Sequence, residues 1–150
     1  MPRKKIKVVS DATCRIPNAH EKNHPSKGKA ACGFLILDEN DGVLFQGGSY
    51  LGEITVPQAE YQGLINALDK ASEYSRGEVH VYMDSELVIR QMNGDYALKS
   101  ENMKPLYHKV KTLEQRFLQG VKYFHHPRTA ALAKQADKLA DAALNAVIAS

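Results

Sequence analysis

Four acidic residues hold the chemistry that this chain is equipped to do. Asp11 lies in VVSDAT, Glu60 in VPQAEYQGLINAL, Asp84 in VYMDSELVIRQMNG and Asp137 in AKQADKLADAAL. Each falls where a strand or helix is expected to begin or end. One carboxylate alone is uninformative. Four of them gathered from across a fold form a divalent-metal site. Mg²⁺ prefers carboxylate oxygens, and two ions about 3.5–4 Å apart clamp the attacking and leaving oxygens of a phosphodiester. Carboxylates near a helix start also gain from the positive helix end. That accounts for Glu60 or Asp137 singly. It does not account for Asp11 and Asp84, which interrupt apolar strands where each strand is expected to stop.

The elements that must position these residues follow from periodicity. Strands are predicted over 5–12, 30–38, 43–51, 78–84 and 121–125, with a polar loop over 13–29. ENDG at 39–42 is a hairpin turn, with Asp-Gly as its positive-φ signal. Gly47 and Gly48 in the third strand suggest a bulge or close packing. Residues 58–74 place Tyr61, Leu64, Ile65, Leu68 and Ala71 at helical spacing, behind a Pro57 suited to a first turn. Further helices are predicted over 85–93, 103–118 and 131–148. The order is βββ-α-β-α-α-β-α. It implies an α/β fold with a mixed sheet covered by helices. In such a sheet, ligands collect at neighbouring strand ends, which here means Asp11 and Asp84.

At 150 residues, 43% hydrophobic and 25% charged, the chain suits one domain over 1–150 with a real core. No apolar run approaches the roughly 20 residues of a membrane span, and PRKKIKVV at the start lacks a signal core. A cytoplasmic monomer with no membrane partner is expected. The net charge of +3 does not by itself announce a nucleic-acid binder. Basic residues nonetheless cluster at Arg3–Lys5, at Lys99, Lys104, Lys109 and Lys111, and at Arg128, Lys134 and Lys138. Most such clusters are solvated faces, yet a basic rim around an acidic centre suits a phosphate backbone. Cys14, His20, His24 and Cys32 are zinc-binding residue types, but their spacing fits no standard finger, so idle thiols and surface histidines are expected.

AEYQGLINAL, DSELVIRQMNGDYALKSENMKPLYHKV and QADKLAD together resemble type 1 ribonuclease H in its compact form without a basic protrusion. The similarity runs from about residue 6 to about residue 145, and the string Asp84-Ser85-x-Leu87-Val88-Ile89-x-Gln91-Met92-Asn93-Gly94 is its most specific part. The resemblance implies a five-stranded mixed sheet with strands one to three antiparallel and helices on both faces. It implies hydrolysis of the RNA strand of RNA–DNA hybrids with two Mg²⁺ ions, Mn²⁺ being a possible substitute, leaving 5′-phosphate and 3′-hydroxyl ends. By position, Asp11, Glu60, Asp84 and Asp137 match that family's metal-binding carboxylates. Asp11 would bridge the ions, Glu60 and Asp84 would complete the water-activating one, and Asp137 would hold the other. Discrimination of RNA would rest on 2′-hydroxyl contacts.

The chain departs from the family pattern in its substrate-facing segments. Ala12 replaces the glycine after the first Asp, giving a weak Asp11-Ala12-Thr13 motif. Thr55-Val56-Pro57-Gln58-Ala59-Glu60 lacks the two asparagines that reach the minor groove, and Pro57 has no backbone N–H. Expected substrate contacts are Ala12, Thr13, Thr55, Gln58, Lys99 and Arg128. His126 matches a product-release histidine, with Arg128 as the competing group. His125 is assigned to the strand end, and His80, His108 and Tyr61 to packing or surface. Two rivals remain open. One is a catalytically weak or inactive module of the same fold that binds nucleic acid or protein. The other is an enzyme of that fold acting at RNA–DNA junctions or on double-stranded RNA.

Overall fold

The computed structural model describes residues 4–16, 26–98, 100–125 and 130–148. Five strands, β1 (Ile6–Arg15), β2 (Gly28–Leu37), β3 (Val43–Ile54), β4 (Val79–Met83) and β5 (Val121–His125), form one sheet in the order β3-β2-β1-β4-β5. β1–β2 and β2–β3 pair antiparallel, while β1–β4 and β4–β5 pair parallel. The mixed sheet expected from the element order is the one observed.

The helices are α1 (Val56–Ala71), α2 (Glu86–Met92), α3 (Lys104–Glu114) and α4 (Ala130–Ile148). Side chains alternate along each strand, so β1, β2 and β4 feed two cores. Ile6 and Val8 of β1, Val81 and Met83 of β4 and Tyr123 of β5 face α1 and pack with Leu64 and Leu68, both fully buried. Burying a leucine this completely contributes about 1.5–3 kcal/mol. Val9, Leu35, Leu37 and Tyr82 face the other way and pack with Ala136, Leu132 and Leu139 of α4.

Several boundaries differ from expectation. β1 runs on to Arg15 and β2 starts at Gly28, so the expected 13–29 loop is shorter at both ends. β3 extends to Ile54 and runs almost directly into α1. In the hairpin, Asp41 rather than Gly42 takes the positive φ of 65°. Asp38 explains the exchange, because its side chain accepts from the N–H groups of Asn40 and Gly42 and fixes the turn.

Thr55 and Gln58 start α1 reciprocally. The Gln58 N–H donates to Thr55 Oγ1 at 3.3 Å, and the Thr55 N–H donates to Gln58 Oε1 at 2.9 Å. This capping box satisfies two helix-end donors, and Pro57 sits where its missing N–H costs nothing.

Candidate active site

Register places the first two carboxylates together. The last pair of the parallel β1–β4 ladder is Ser10 opposite Met83, so Asp11 and Asp84 emerge side by side on strands that pack about 4.8 Å apart. Asp11 does not end β1, as the sequence suggested. It marks the point where β4 leaves and β1 continues paired with β2 alone. Immediately after Asp84 the chain turns into α2, and Ser85 caps that helix by accepting from the Val88 N–H.

Asp137 arrives through glycine. Gly33 is the β2 register partner of Asp11. Its Hα faces α4 so closely that a β-carbon there would collide with the Ala136 carbonyl, and one at Gly48 would stand 2.6 Å from the Leu139 carbonyl. The close packing expected of the β3 glycines is therefore real at Gly48. The α4 backbone lies almost on the sheet, and Asp137, next after Ala136, comes near enough to Asp11 to raise its pKa.

Glu60 approaches from the opposite face on α1. It is 8% exposed, and Oε1 is buried without a hydrogen-bond partner among the described residues. Burial first, then the charges of Asp11 and Asp84, push its pKa up to about 8; the Ala12 N–H and the Ser85 hydroxyl pull it down. Asp11 is raised to about 7, mainly by burial and further by Asp137 and Asp84, against a 2.9 Å hydrogen bond from the Ala12 N–H. Neither Glu60 nor Asp137 lies in the first turn of its helix, so helix capping explains neither.

A cleft of about 290 Å³ is lined by Asp11, Asp84 and Asp137 together with Val9, Tyr82 and Lys134. Glu60 is not on its wall. Among the described residues no three His, Cys, Asp or Glu side chains are grouped closely enough to hold an ion as they stand. Like charges at short range in a poorly solvated site hold one another apart. The donor set still fits a hard divalent cation: it is all carboxylate oxygen, and one of those oxygens is buried and orphaned.

The remaining expected residues divide. Thr13 lies two residues beyond Asp11 on β1, on the same face of the strand. Ala12 presents its N–H to Asp11. Thr55 and Gln58 lie five and two residues before Glu60, with one side-chain oxygen each committed to the capping box. Gln58 also lines a groove with Tyr50, Gln62, Asn102 and Leu106. Lys99, His126 and Arg128 lie outside the described residues, as do His20 and His24. Cys14 donates to the Ile54 carbonyl and Cys32 is buried beside Asn66; both are free thiols.

The sequence reading missed three residues. His125 Nε2 donates to the Asp84 carbonyl at 3.1 Å and stands 3.8 Å from Asp84 Oδ1, so this strand-end residue touches the site. Ser85 and Gly33 were also passed over. A serine before ELVIRQM is a legible helix cap, and an isolated glycine in an apolar strand signals close backbone approach.

Residues 19–143 match the family model described as reverse transcriptase-like. The chain is 30% identical to ribonuclease HI of Halobacterium salinarum over 118 residues, which cover 79% of this chain and 58% of that protein. It is 35% identical over 124 residues to a bifunctional protein of Mycobacterium tuberculosis, covering 82% of this chain and 33% of that one. The chain thus spans between a third and three fifths of these relatives' lengths. Among solved structures, the LC11 ribonuclease H1 in complex with an RNA/DNA hybrid superposes with a TM-score of 0.82 at 30% identity, over 95% of this chain and 99% of that one.

Proposed function

The chain belongs to the reverse transcriptase-like family, and from that premise we propose that it is a ribonuclease H. It hydrolyses the RNA strand of RNA–DNA hybrids, leaving 5′-phosphate and 3′-hydroxyl ends. The observation that supports this reading is that Asp11, Asp84 and Asp137 line one cleft, while Glu60, on the opposite face of the sheet, is near enough for the charges of Asp11 and Asp84 to raise its pKa. Burial first, then the neighbouring carboxylates, raise Asp11 and Glu60 toward neutral pH, an expense in stability that a bound cation offsets.

The four carboxylates would hold two Mg²⁺ or Mn²⁺ ions, with Asp11 between Glu60 and Asp84 on one side and Asp137 on the other. When bound, the ions supply an acidified water and neutralise charge at the scissile phosphate. The chain's own groups orient this set. The Ala12 N–H fixes Asp11, the Ala12 N–H and the Ser85 hydroxyl favour the charged form of Glu60, and His125 steadies the backbone at Asp84. Ala12, Thr13, Thr55, Gln58, Lys99 and Arg128 contact the substrate, and His126 assists product departure. The chain acts as one domain over 1–150, as a cytoplasmic monomer. Among the described residues no helix is long and apolar enough to cross a membrane.

A second reading, a catalytically weak module that binds nucleic acid or a protein partner, is favoured by one observation. Val56 and Pro57 stand at the exposed start of α1 where the ribonuclease H pattern has groove-reading amides. Incubating the protein with end-labelled hybrid, double-stranded RNA and DNA duplex, each with Mg²⁺, Mn²⁺ or chelator, separates the readings. Cleavage confined to the hybrid's RNA strand and dependent on metal is expected. Asp11→Asn should lower it more than about a hundredfold, because even residues behind metal ligands account for 10–100-fold. Hybrid binding with no cleavage under any metal would establish the second reading instead.

A further inference from the structure

Beyond the carboxylates, one part of the sheet face beside the cleft has no assigned use. α4 lies across β1, β2 and β3, and β4 and β5 fall outside its main footprint. Register aligns their side chains on that face into rows: Lys7, His80 and Lys122; then Val9, Tyr82 and Phe124; then Asp11 and Asp84 at the cleft. Phe124 stacks on Tyr82, with ring centroids 5.2 Å apart and planes 20° apart, and His80 flanks it, also at 5.2 Å. Tyr82 is itself on the cleft wall.

Phe124 is therefore a ring pinned on two sides yet 38% exposed. An exposed phenylalanine held at a fixed angle differs from one left loose at a surface, because its stacking face is already ordered. Cations accompany it. Lys122, 61% exposed with its Nζ 3.9 Å from Glu78 Oε1, is its strand neighbour, and Lys134 lines the cleft on the α4 side. An aromatic ring beside cations, continuous with a site for a phosphodiester, has the chemistry of a base-stacking platform. Two residues along a strand separate Tyr82 from Asp84, about 7 Å, which is the span of one nucleotide step or slightly more.

We propose that Phe124, backed by Tyr82 and His80, stacks an unpaired base adjoining the segment held at the carboxylates, so that the enzyme favours hybrids with a single-stranded tail. This rests on the ribonuclease H reading and names a substrate feature that reading leaves open. The occupant is nucleic acid rather than protein because the platform continues into the cleft proposed for a phosphodiester, where Lys134 also lies.

The chain contains no tryptophan, so Phe124→Trp installs a single tryptophan on the platform, which can be excited selectively over the tyrosines. In chelator, where nothing is cut, its emission should be quenched by a hybrid bearing a 5′ or 3′ single-stranded tail and far less by a blunt hybrid. For the unlabelled protein, one of the two tails should tighten binding roughly five- to tenfold, the lower part of the stacking range. Phe124→Ala should erase that tail advantage. Phe124→Leu, which keeps the apolar bulk and guards against misfolding, should erase it too, while Phe124→Tyr restores it. Equal quenching by blunt and tailed hybrids, or a tail advantage intact in Phe124→Leu, would overturn the proposal. Emission that shifts with protein concentration in the absence of nucleic acid would do so as well, since the face then meets a second copy. Binding in chelator is independent of hydrolysis, so failure of cleavage with Mg²⁺ would count against the ribonuclease H reading alone.

Discussion

Asp11 and Glu60 each hold their proton to unusually high pH, and this links the site to stability. Their folded pKa values, about 7 and about 8, lie above the unfolded values of 3.8 and 4.5. Between those limits the folded protein binds more protons than the unfolded chain, so stability falls as pH rises. The metal-free protein should therefore have a lower Tm near pH 8 than near pH 5. Asp11→Asn should flatten that slope and raise the Tm near pH 8 by a few degrees, since each kcal/mol shifts a domain of this size by about 2–4 °C. Mg²⁺ should restore wild type at high pH and do much less for the variant. Thermal melts across pH with and without Mg²⁺ check this; parallel slopes for the two proteins would dissociate Asp11 from the effect. His125 belongs to the same scale. The sequence marked it as a strand-end residue of structural value, but its hydrogen bond to the Asp84 carbonyl ties it to the site. His125→Ala should weaken Mg²⁺ binding by a fewfold, read by calorimetry, beyond any change in Tm.

At the scale of elements, the approach of α4 to the sheet decides whether Asp137 can take part. Gly33 and Gly48 allow it. Gly33→Ala would drive a methyl group into the Ala136 carbonyl, and overpacking of this kind costs about 1–3 kcal/mol. Its sharper consequence is at the site: lifting α4 moves Asp137 from Asp11, so cleavage per folded molecule should fall at least tenfold. A fold check by circular dichroism and an activity assay on the folded fraction separate the two effects. Undiminished specific activity would mean that α4 seats elsewhere than over Gly33. The start of α1 is the second such element. Thr55→Ala removes the side-chain half of the capping box and should cost about 0.5–2 kcal/mol, measurable by urea unfolding. Thr55→Ser should retain most of it.

For the whole molecule, the charge balance sets how substrate is held. The site is acidic while the chain carries a net charge of +3, so attraction to a polyanion must come from residues around the carboxylates. With Val56 and Pro57 at the α1 start in place of amides, hybrid affinity should rest on phosphate contacts and fall steeply as salt rises. Restoring Asn at both positions should tighten binding severalfold at fixed salt while leaving the salt slope nearly unchanged, because amides release no counterions. Val56 is 46% exposed, so the exchange disturbs no core. An unaltered affinity in filter binding would place this helix start off the substrate surface.

The local and periodic features of the protein were legible in its sequence: strand alternation, the spacing of Leu64, Ile65 and Leu68, the Pro57 start of α1, and Asp84 where β4 stops, whereas Asp11, Glu60 and Asp137 lie inside their elements. Each depends on residues within a few positions of one another. What tertiary structure alone decided is which distant residues meet. Only pairing register shows that Ser10 faces Met83 and so sets Asp11 beside Asp84. Only the contact of Gly33 with the α4 backbone brings in Asp137. Only the parallel β4–β5 ladder carries His125 to Asp84 and Phe124 onto Tyr82. Sequence sets the period of a strand, but its register and the depth at which a helix seats depend on the balance of contacts over the whole sheet.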